Sequence, residues 1–590
     1  MTSRQLSLLL VIAALVGTFA ACGSSASKPL SIAFSSTPPA AMTADTPLSI
    51  TATVTNDSKS GGVDWTATCS TSSCGSFSAA HTASGTSTTY TAPAVPPAGG
   101  VTVKAASTTD STKTVSATIA INASGPLADG TYVFQLSGED NNGPSPFTAT
   151  GAFTVFGGAI TAAEEDFNDF AVIGNGSIDP TISSITTTSD GNLAIALDAS
   201  ASLGLSPQIL NVTLTSPTSG IVSEFDTFAT GSGTLRLQTS QAALAKGYAF
   251  FSSGYDFNIG APMAIGGVIN VDGTGTISGS GSTFDVNDTL DGGLGIDLPV
   301  DGTSTVLAPD SLGRVAFIVD SGGTAQFLVL AGYIVDSNSI ALVESGDSLS
   351  GITAGTAYAQ GNKTGLFSDA DLSGSTYVVG TQGGDTTLNF LDFAGALTFN
   401  SGIVTGNATF NDGATQISGS ALGAYTVDAT GTGRVTVTGL TVGGLGPATI
   451  EFYLDGNGNA PVASVDLNDV FSGPGFKQTS GASVSGNYAL GGIGIGNSGL
   501  WSAVGPLGVS SGTIGSTSFV DFNYFGVDQT ANVPLTGTIS SGTGTIFGLN
   551  ADGGSGVSDT FDFYVVDSNR AFGIESDALQ LGLLYTELQH

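Results

Sequence analysis

The chain has 590 residues, and its 12 lysines and arginines stand against 47 aspartates and glutamates, for a formal net charge of −35. A surface this acidic repels phosphate groups, which excludes nucleic-acid binding and argues against docking on anionic lipid through basic patches. Hydrophobic residues make up 41% of the chain, enough for sizeable cores, and the length corresponds to about four domains. Two His and three Cys leave little material for metal sites or for nucleophile–base pairs.

Residues 1–21 are predicted to be a signal peptide. Arg4 supplies one positive charge, and the apolar stretch after it is too short for a permanent membrane span. The stretch ends in FAAC (19–22) and leads into a small polar tether, 22–28. An apolar signal that ends in small residues and a Cys resembles a bacterial lipoprotein signal, although the first position of the motif is Phe where that family usually has Leu. The resemblance implies that Cys22 is acylated and becomes the mature N-terminus.

The residue after that cysteine is Gly23. Since it is not Asp, the sorting rules of the lipoprotein family imply the outer membrane, on its periplasmic or its surface-exposed side. The alternative is ordinary signal cleavage near Ala20 or Ala21, which would leave a soluble secreted chain.

Residues 29–123 alternate apolar and polar side chains in short runs separated by turn residues, which predicts a β-sandwich. An early strand is followed by VDWTATC (63–69), CGSFS (74–78), YTAP (90–93) and two closing strands. This order of landmarks resembles the bacterial immunoglobulin-like domains of surface proteins. The resemblance implies that Trp65 packs in the core and that the domain is a spacer or an adhesion module.

Cys69 and Cys74 lie within this region with four residues between them. An even pair in an exported chain most simply forms a local disulfide. A metal or redox site would need further partners, and the nearest His is His81 alone. The short loop predicts that the bond shapes a turn and does not hold the domain together.

The rest of the chain contains four copies of one unit, with landmarks that recur in the same order. Each copy opens with a tyrosine at the start of an apolar strand, carries a glycine in a run of small residues 17–19 positions later, and then an asparagine beside an acid or an aromatic residue. The tyrosines are Tyr132, Tyr248, Tyr377 and Tyr488; the glycines are Gly151, Gly266, Gly395 and Gly505; the asparagine pairs are Asn168-Asp169, Asn287-Asp288, Asn411-Asp412 and Asn523-Tyr524. A spacing of 111 to 129 residues between the tyrosines is too long for a solenoid, so each copy is expected to be a small domain.

Within a copy, about eight short strands are joined by turns suited to antiparallel hairpins. An open meander of that length exposes two edges, and closure into a barrel removes both. We therefore predict an all-β chain, with an N-terminal immunoglobulin-like sandwich followed by a row of four antiparallel meander barrels that resemble lipocalin or calycin barrels in topology. The four barrel repeats span 129–243, 246–365, 372–480 and 484–588. The alternatives are that copies pair into larger barrels or sandwiches, or that they form transmembrane barrels.

The sequence offers few candidate residues for catalysis. His81 lies in the sandwich and His590 is the last residue, so neither a serine triad nor a zinc site can be assembled. A glycosidase would require two carboxylates that face each other across a cleft. The densest acid cluster, Glu164-Glu165-Asp166, is instead interpreted as a solvated strand end. The chain is predicted not to be an enzyme.

One segment of the sequence has the spacing of a calcium-binding loop. Asp455, Asn457 and Asn459 occupy alternate positions, with Asp466 at the twelfth, as in an EF-hand loop. Ala460 stands where that loop needs Gly, and the flanks are strands, so we interpret the segment as a hairpin turn with an insertion. No cofactor is predicted, beyond weak calcium binding by acidic loops.

The barrel lumens are the remaining candidate site, because an eight-stranded barrel is either filled by side chains or holds one small ligand. Phenylalanines recur at positions expected to face inward: Phe134, Phe153, Phe250, Phe251, Phe393 and Phe399. Bulky residues filling all four lumens would favour a scaffold, whereas small residues with a buried acid or tyrosine would favour ligand binding.

These observations predict a cell-envelope lipoprotein with a structural or interaction role, such as surface display or adhesion. It would be held at the membrane by its lipid and would contact an unknown protein or glycan partner. The alternative function is binding of small apolar ligands in one or more lumens.

Overall fold

The computed structural model describes residues 28–589 except 45, 71–73, 94–96, 98, 123–125, 142–144, 170–171, 289–292, 323–326, 480–482, 497–498, 526–527, 541, 550–557 and 578–580. The predicted signal peptide, Cys22 and His590 lie outside the described residues. The chain divides into two compact units, Met1–Ser124 and Gly125–His590. Among the described residues, no helix is both long and apolar enough to cross a bilayer.

The first unit is a β-sandwich. Its strands are β1 (Ser31–Phe34), β2 (Ala41–Thr43), β3 (Pro47–Thr55), β4 (Val63–Thr68), β5 (Ser76–Phe77), β6 (His81–Thr82), β7 (Ser87–Thr91), β8 (Val101–Ser107) and β9 (Thr114–Asn122). They form two sheets, in the orders β1-β3-β7-β5 and β2-β9-β8-β4-β6. Both sheets contribute to one core around Trp65, whose indole N–H donates to the Thr82 hydroxyl at 3.0 Å. The alternating pattern thus predicted the sandwich correctly, and Trp65 lies in the core as the resemblance implied.

The second unit consists of four consecutive sheets, one for each repeat. Repeat one has β10 (Gly130–Asp140), β11 (Ser145–Phe156), β12 (Ala159–Asp169), β13 (Ile173–Ser177), β14 (Ser184–Thr187), β15 (Leu193–Leu197), α1 (Ser200–Leu203), β16 (Gln208–Ser216), β17 (Ser219–Glu224) and β18 (Ala229–Leu237). Repeat two has β19 (Lys246–Asp256), β20 (Ala261–Val271), β21 (Thr283–Asp288), β22 (Gly293–Pro299), β23 (Thr305–Val306), β24 (Arg314–Asp320), β25 (Phe327–Ile334), β26 (Ser339–Glu344) and β27 (Gly351–Ala359).

The later repeats follow after a 3₁₀ turn (Gly361–Lys363) and α2 (Asp369–Leu372). Repeat three has β28 (Ser375–Asp385), β29 (Phe390–Asn400), β30 (Ile403–Asn411), β31 (Gln416–Val427), β32 (Arg434–Val442), β33 (Leu445–Tyr453), β34 (Val462–Ser464), β35 (Asp469–Gly473) and β36 (Gly475–Lys477). Repeat four has β37 (Gly486–Gly496), β38 (Gly499–Ser510), β39 (Thr513–Ile514), β40 (Phe519–Tyr524), β41 (Asp528–Pro534), β42 (Thr536–Ser540), β43 (Thr543–Phe547), β44 (Ser558–Val565), β45 (Arg570–Glu575) and β46 (Leu581–Leu588).

The first strand of each repeat pairs with both the second strand and a strand at the repeat's end, and the described ladder closes completely in repeats three and four. Strand β10 pairs with β11 and β18, and β37 pairs with β38 and β46. In repeat three, β28 pairs with β29 on one side and with β35 and β36 on the other. In repeats one and two, the described ladders break once, between β13 and β14 and between β22 and β23. The prediction of an all-β chain with four antiparallel barrel repeats is confirmed.

Bulky apolar side chains line the interiors of all four barrels, and in repeat one the buried Glu165 lies among them. Each repeat contains one large buried cluster, and the four landmark tyrosines lie in these clusters at the start of the first strand. The Tyr132 hydroxyl, for example, donates to the carbonyl of Pro217 at 2.9 Å and fixes that strand to a distant loop. The predicted inward phenylalanines belong to the clusters with the exception of Phe251, which faces away from its own barrel. The lumens therefore meet the condition that favours a scaffold.

Candidate functional site

The two cysteines of the sandwich are joined, with the Cys69 and Cys74 Cα atoms 5.5 Å apart. Beside them, the buried Tyr90 hydroxyl donates to the carbonyl of Cys74 at 2.7 Å. Both cysteines pack partly buried against the sandwich core, and the predicted role of the bond in shaping the loop between them stays a prediction. Cys22, the predicted lipidation site, lies outside the described residues.

The calcium candidates of repeat three occupy two separate turns. The Asp455 carboxylate accepts the backbone N–H groups of Asn457 at 2.7 Å and Asn459 at 2.9 Å, and the Asn459 amide at 2.6 Å. Asp466 lies in the next turn, where it accepts the N–H of Asn468 at 2.9 Å. These contacts give the acids a turn-forming role, and calcium binding there stays an untested prediction.

The acid cluster of repeat one is not a solvated strand end, which corrects that interpretation. Glu165 is 1% exposed and Asp166 is 2% exposed. Glu165 pairs in register with Gly151 and faces the barrel interior, where burial, helped by the charge of Asp166, raises its pKa to about 8. Asp166 faces the opposite side of the strand and contacts repeat two. Sequence alternation separates the two faces, but it does not show that a second barrel covers the outer one.

An asparagine on the third strand of repeats one to three, and on the fourth strand (β40) of repeat four, joins each repeat to another. The side-chain amide of Asn168 donates to the carbonyl of Glu344 at 2.8 Å and to that of Gly351 at 2.9 Å, both in repeat two. The equivalent donors and acceptors are Asn287 with Asp466 and Asp469, Asn411 with Glu575, and Asn523 with Glu224 and Ala229. We call these four contacts the asparagine clamps. Forming these clamps is the role of the recurring asparagine. The sequence showed that this asparagine recurs in each copy, but it did not show why.

The residue two positions before each clamp lies on the same face of the strand and adds a second contact. The Asp166 carboxylate accepts Arg314 Nη2 at 2.6 Å and the hydroxyl of the buried Tyr333 at 2.8 Å. The equivalent contacts are Asp285 with Arg434 and Tyr453, Thr409 with Asp562 and Tyr564, and Asp521 with Asn192 and Asn211. Each junction therefore combines a clamp with a second polar contact, which is an aspartate with an arginine and a tyrosine at the first two junctions and differs at the other two.

The junctions run from repeat one to two, two to three, three to four, and four back to one. In a simple row of barrels, repeat four would not contact repeat one. Because the two are joined here, the four barrels form a closed ring. A small apolar cluster accompanies each junction; the residues that the first strands contribute to them are Val133, Ala249, Val378 and Ala489. These residues directly follow the landmark tyrosines.

The outward faces of the four first strands surround the axis of this ring. Residues three, five and seven positions after each landmark tyrosine share that face, because side chains alternate along a strand. Two adjoining cavities of about 280 and 420 Å³ lie there. Both are lined by Gln135, Phe251, Gln382 and Ile493, one residue from each repeat.

The smaller cavity, which we call the Glu139 chamber, gathers two acids and a tyrosine from three repeats. Glu139 is 8% exposed and Asp392 is 3% exposed, and both line the chamber with Tyr255. Burial raises the pKa of each carboxyl to about 7, with a contribution from Asp140 at Glu139, while a hydrogen bond from Gln382 opposes the shift at Asp392. Burial also raises the pKa of the Tyr255 phenol, reinforced by the charges of the two acids.

The larger cavity, the Arg236 chamber, has polar groups that already have partners. Arg236 pairs with Glu587 at 2.7 Å, across the junction between repeats one and four. The guanidinium of Arg570 lies over the ring of Phe476 at 4.4 Å from its centroid. Tyr358 and Tyr585 complete the wall. This chamber is mainly an aromatic extension of the axial space.

The axial residues were missed by sequence reasoning, which looked for a site inside the barrels. The available signal was the contrast between positions within the first strands. Positions two and four after the tyrosine face the lumens, whereas position seven is Glu139, Tyr255, Gly384 and Ile495 in turn. Such divergence at one position of a repeat marks a surface where the copies have different roles.

The comparisons with known proteins leave the function open. The sequence matches no protein-family model, and it matches no curated protein. A solved structure that it is similar to is the double mutant Tyr-167-Ala and Trp-176-Ala of the vaccine antigen Transferrin Binding Protein B from Haemophilus parasuis Hp5. The match has 11% sequence identity over 79% of this chain and 96% of that one, with a TM-score of 0.17. A TM-score this low does not establish a common fold.

Proposed function

We propose that this protein is a non-enzymatic lipoprotein of the bacterial cell envelope, in which the four-barrel ring is a rigid module for interaction with a protein or glycan partner. The observation that carries the proposal is the filling of all four barrels together with their closure into a ring. A body built in this way keeps its loops in fixed relative positions, as display or adhesion requires.

The anchor in this proposal is a lipid on Cys22, and it is supported by the sequence that precedes the cysteine. The sandwich, stiffened locally by its disulfide, would act as the spacer between the lipid and the ring. Gly23 directs such a lipoprotein to the outer membrane. The acidic surface fits a partner other than nucleic acid, since it repels phosphate.

Metabolic labelling in a bacterial host tests the anchor. With labelled palmitate, the wild-type chain should take up label and sediment with outer membranes, whereas Cys22→Ser should lose the label and become soluble. The double variant Cys69→Ser/Cys74→Ser is the matched control, because it replaces the other two cysteines, which form a disulfide, and leaves Cys22 in place. Unlabelled wild-type protein in the medium would refute the lipoprotein proposal and favour the secreted alternative. Protease added to intact cells then separates the surface-exposed from the periplasmic location.

A second function, binding of a small molecule, is favoured by one further observation. The axial cavities contain a buried carboxyl oxygen, Asp392 Oδ2, that has no hydrogen-bond partner in the part of the chain that the structure describes. The binding site would then lie between the barrels, since the lumens are filled. Native mass spectra before and after organic extraction test this function: a discrete mass that extraction removes supports it, and a bare protein mass in both opposes it.

A further inference from the structure

We propose that the Glu139 chamber binds an organic cation, with an ammonium group held by Glu139, Asp392 and Tyr255 and an apolar body lying along the axis of the ring. The inference deepens the small-molecule function and rests on it. It concerns the class of ligand, which no sequence pattern indicates.

The first argument is that the carboxyl groups of the chamber have acceptor oxygens without a hydrogen-bond donor among the described residues. Asp392 is buried, and its Oδ1 accepts the amide of Gln382 at 3.0 Å, which leaves Oδ2 unpartnered. Glu139 is buried as well, and the described part of the chain shows neither a hydrogen bond nor an ion pair for its carboxyl. Buried polar groups are normally satisfied, and an exception calls for a missing partner. The missing partner is a group that donates hydrogen bonds.

The second argument concerns charge. Among the described residues that line the chamber there is no lysine or arginine, and the tyrosine phenol and the two carboxyls are the only ionisable groups. A positively charged donor offsets the cost of ionising both acids in a buried space, which a neutral donor does not. An amine that binds in its protonated form meets both requirements.

The third argument is that the walls suit an organic cation better than a bare metal ion. Tyr255 packs edge-on against Phe390, with ring centroids 6.1 Å apart, and Phe251 lies on the same side of the chamber. Aromatic faces attract ammonium groups, whereas calcium requires six to eight oxygen ligands. Ile352, Ile495 and Leu500 supply the apolar surface for the rest of the ligand.

The fourth argument is geometric. Glu139 belongs to repeat one, Tyr255 to repeat two, Asp392 to repeat three and Ile495 to repeat four. The chamber of about 280 Å³ continues into the Arg236 chamber of about 420 Å³, so an elongated ligand can extend along the axis. Pockets for small ligands are typically of this combined size. The site is complete only when the ring is closed.

Isothermal titration of the whole protein with n-octylammonium, 1-octanol and octanoate at pH 8 tests the inference. We expect n-octylammonium to bind one per chain, and octanoate not to bind. Glu139→Gln and Asp392→Asn should each weaken that binding by about tenfold or more, because each removes a charge-assisted contact. Asp272→Asn, which neutralises an exposed turn carboxylate, is the matched control and should leave binding unchanged.

A titration of the wild type at pH 5 gives a check that needs no variant. Its carboxyls are then protonated and uncharged, so binding of n-octylammonium should weaken by a similar factor. If 1-octanol binds as tightly as n-octylammonium and both variants keep full affinity, the ligand class is wrong while the small-molecule function stands. If none of the three probes binds and native spectra show a bare protein, both fail.

Discussion

The clamp that closes the ring gives the sharpest test of the architecture. Asn523 is fully buried, and its amide donates to the carbonyls of Glu224 and Ala229, each at 2.8 Å. Replacing it with alanine leaves both carbonyls without this donor. A buried group left unsatisfied costs about 1–3 kcal/mol, so we expect the Asn523→Ala junction to open more easily by about 2–4 kcal/mol.

Hydrogen–deuterium exchange read by mass spectrometry measures this opening locally. Protected amides exchange through local opening, so exchange at the junction should accelerate by about 30- to 700-fold. The acceleration should appear in peptides covering β17 (Ser219–Glu224) and β40 (Phe519–Tyr524), which lie on the two sides of the junction. These segments are about 300 residues apart in the chain, so a joint response reports contact between repeats one and four.

The control for this experiment is Asn400→Ala, since Asn400 is exposed at the end of β29 and its side chain accepts a hydrogen bond from the neighbouring Ser401 hydroxyl, far from any clamp. Its exchange pattern should match the wild type in both peptides. Acceleration confined to repeat four in Asn523→Ala, with β17 unchanged, would show that repeats one and four are not joined as the structure has them. The ring would then have to be replaced by an open row of barrels.

Three further predictions concern stability and are read by thermal or chemical unfolding. Arg434→Met should destabilise the protein by about 3–5 kcal/mol because it leaves the buried Asp285 without its cation, and adding Asp285→Asn should recover part of that loss; a double variant no more stable than the single one would contradict this. Stability should fall as pH rises from 5 to 8, because the folded state holds the Glu165 proton up to a pKa of about 8 while the unfolded chain releases it near 4.5; Glu165→Gln should flatten this dependence, and an unchanged slope would show that Glu165 does not contribute. Reduction of Cys69–Cys74 should cost the sandwich about 2 kcal/mol or less, as the short loop implies, with no change in unfolding of the ring; loss of folding on reduction would refute the turn-shaping role.

Much of the fold follows from local sequence signals. Alternation over the first strands, with Phe134 and Leu136 inward and Gln135 outward, defines the two faces of β10, and hairpin turns define the strand order. Closure of each barrel follows from the need to remove exposed edges. These signals act over ten to twenty residues, which is why one copy is sufficient to predict them.

The ring could not be predicted in the same way. Asn168 and its acceptor Glu344 are 176 residues apart, and both acceptors of the clamp are backbone carbonyls, which carry no residue-specific pattern. The second contact is an arginine with an aspartate at the first two junctions, but it becomes Thr409 with Asp562 at the third. A recurring asparagine therefore indicated a shared role, while the identity of its partner depended on how complete barrels meet.

The placement of a binding site at the axis follows from this division between shared and variable positions. Glu139, Tyr255 and Ile495, at the seventh position of repeats one, two and four, all line the chamber, so an acid at each of these positions would bring like charges into one buried space. The three repeats instead carry an acid, a tyrosine and an isoleucine there, so the chamber combines polar and apolar walls. The clamps are preserved in all four copies and the axial residues are not, because closure needs the same contact four times whereas recognition of one ligand needs four different walls. That asymmetry directs an ammonium group toward Glu139 and Asp392, and an apolar body toward Ile495.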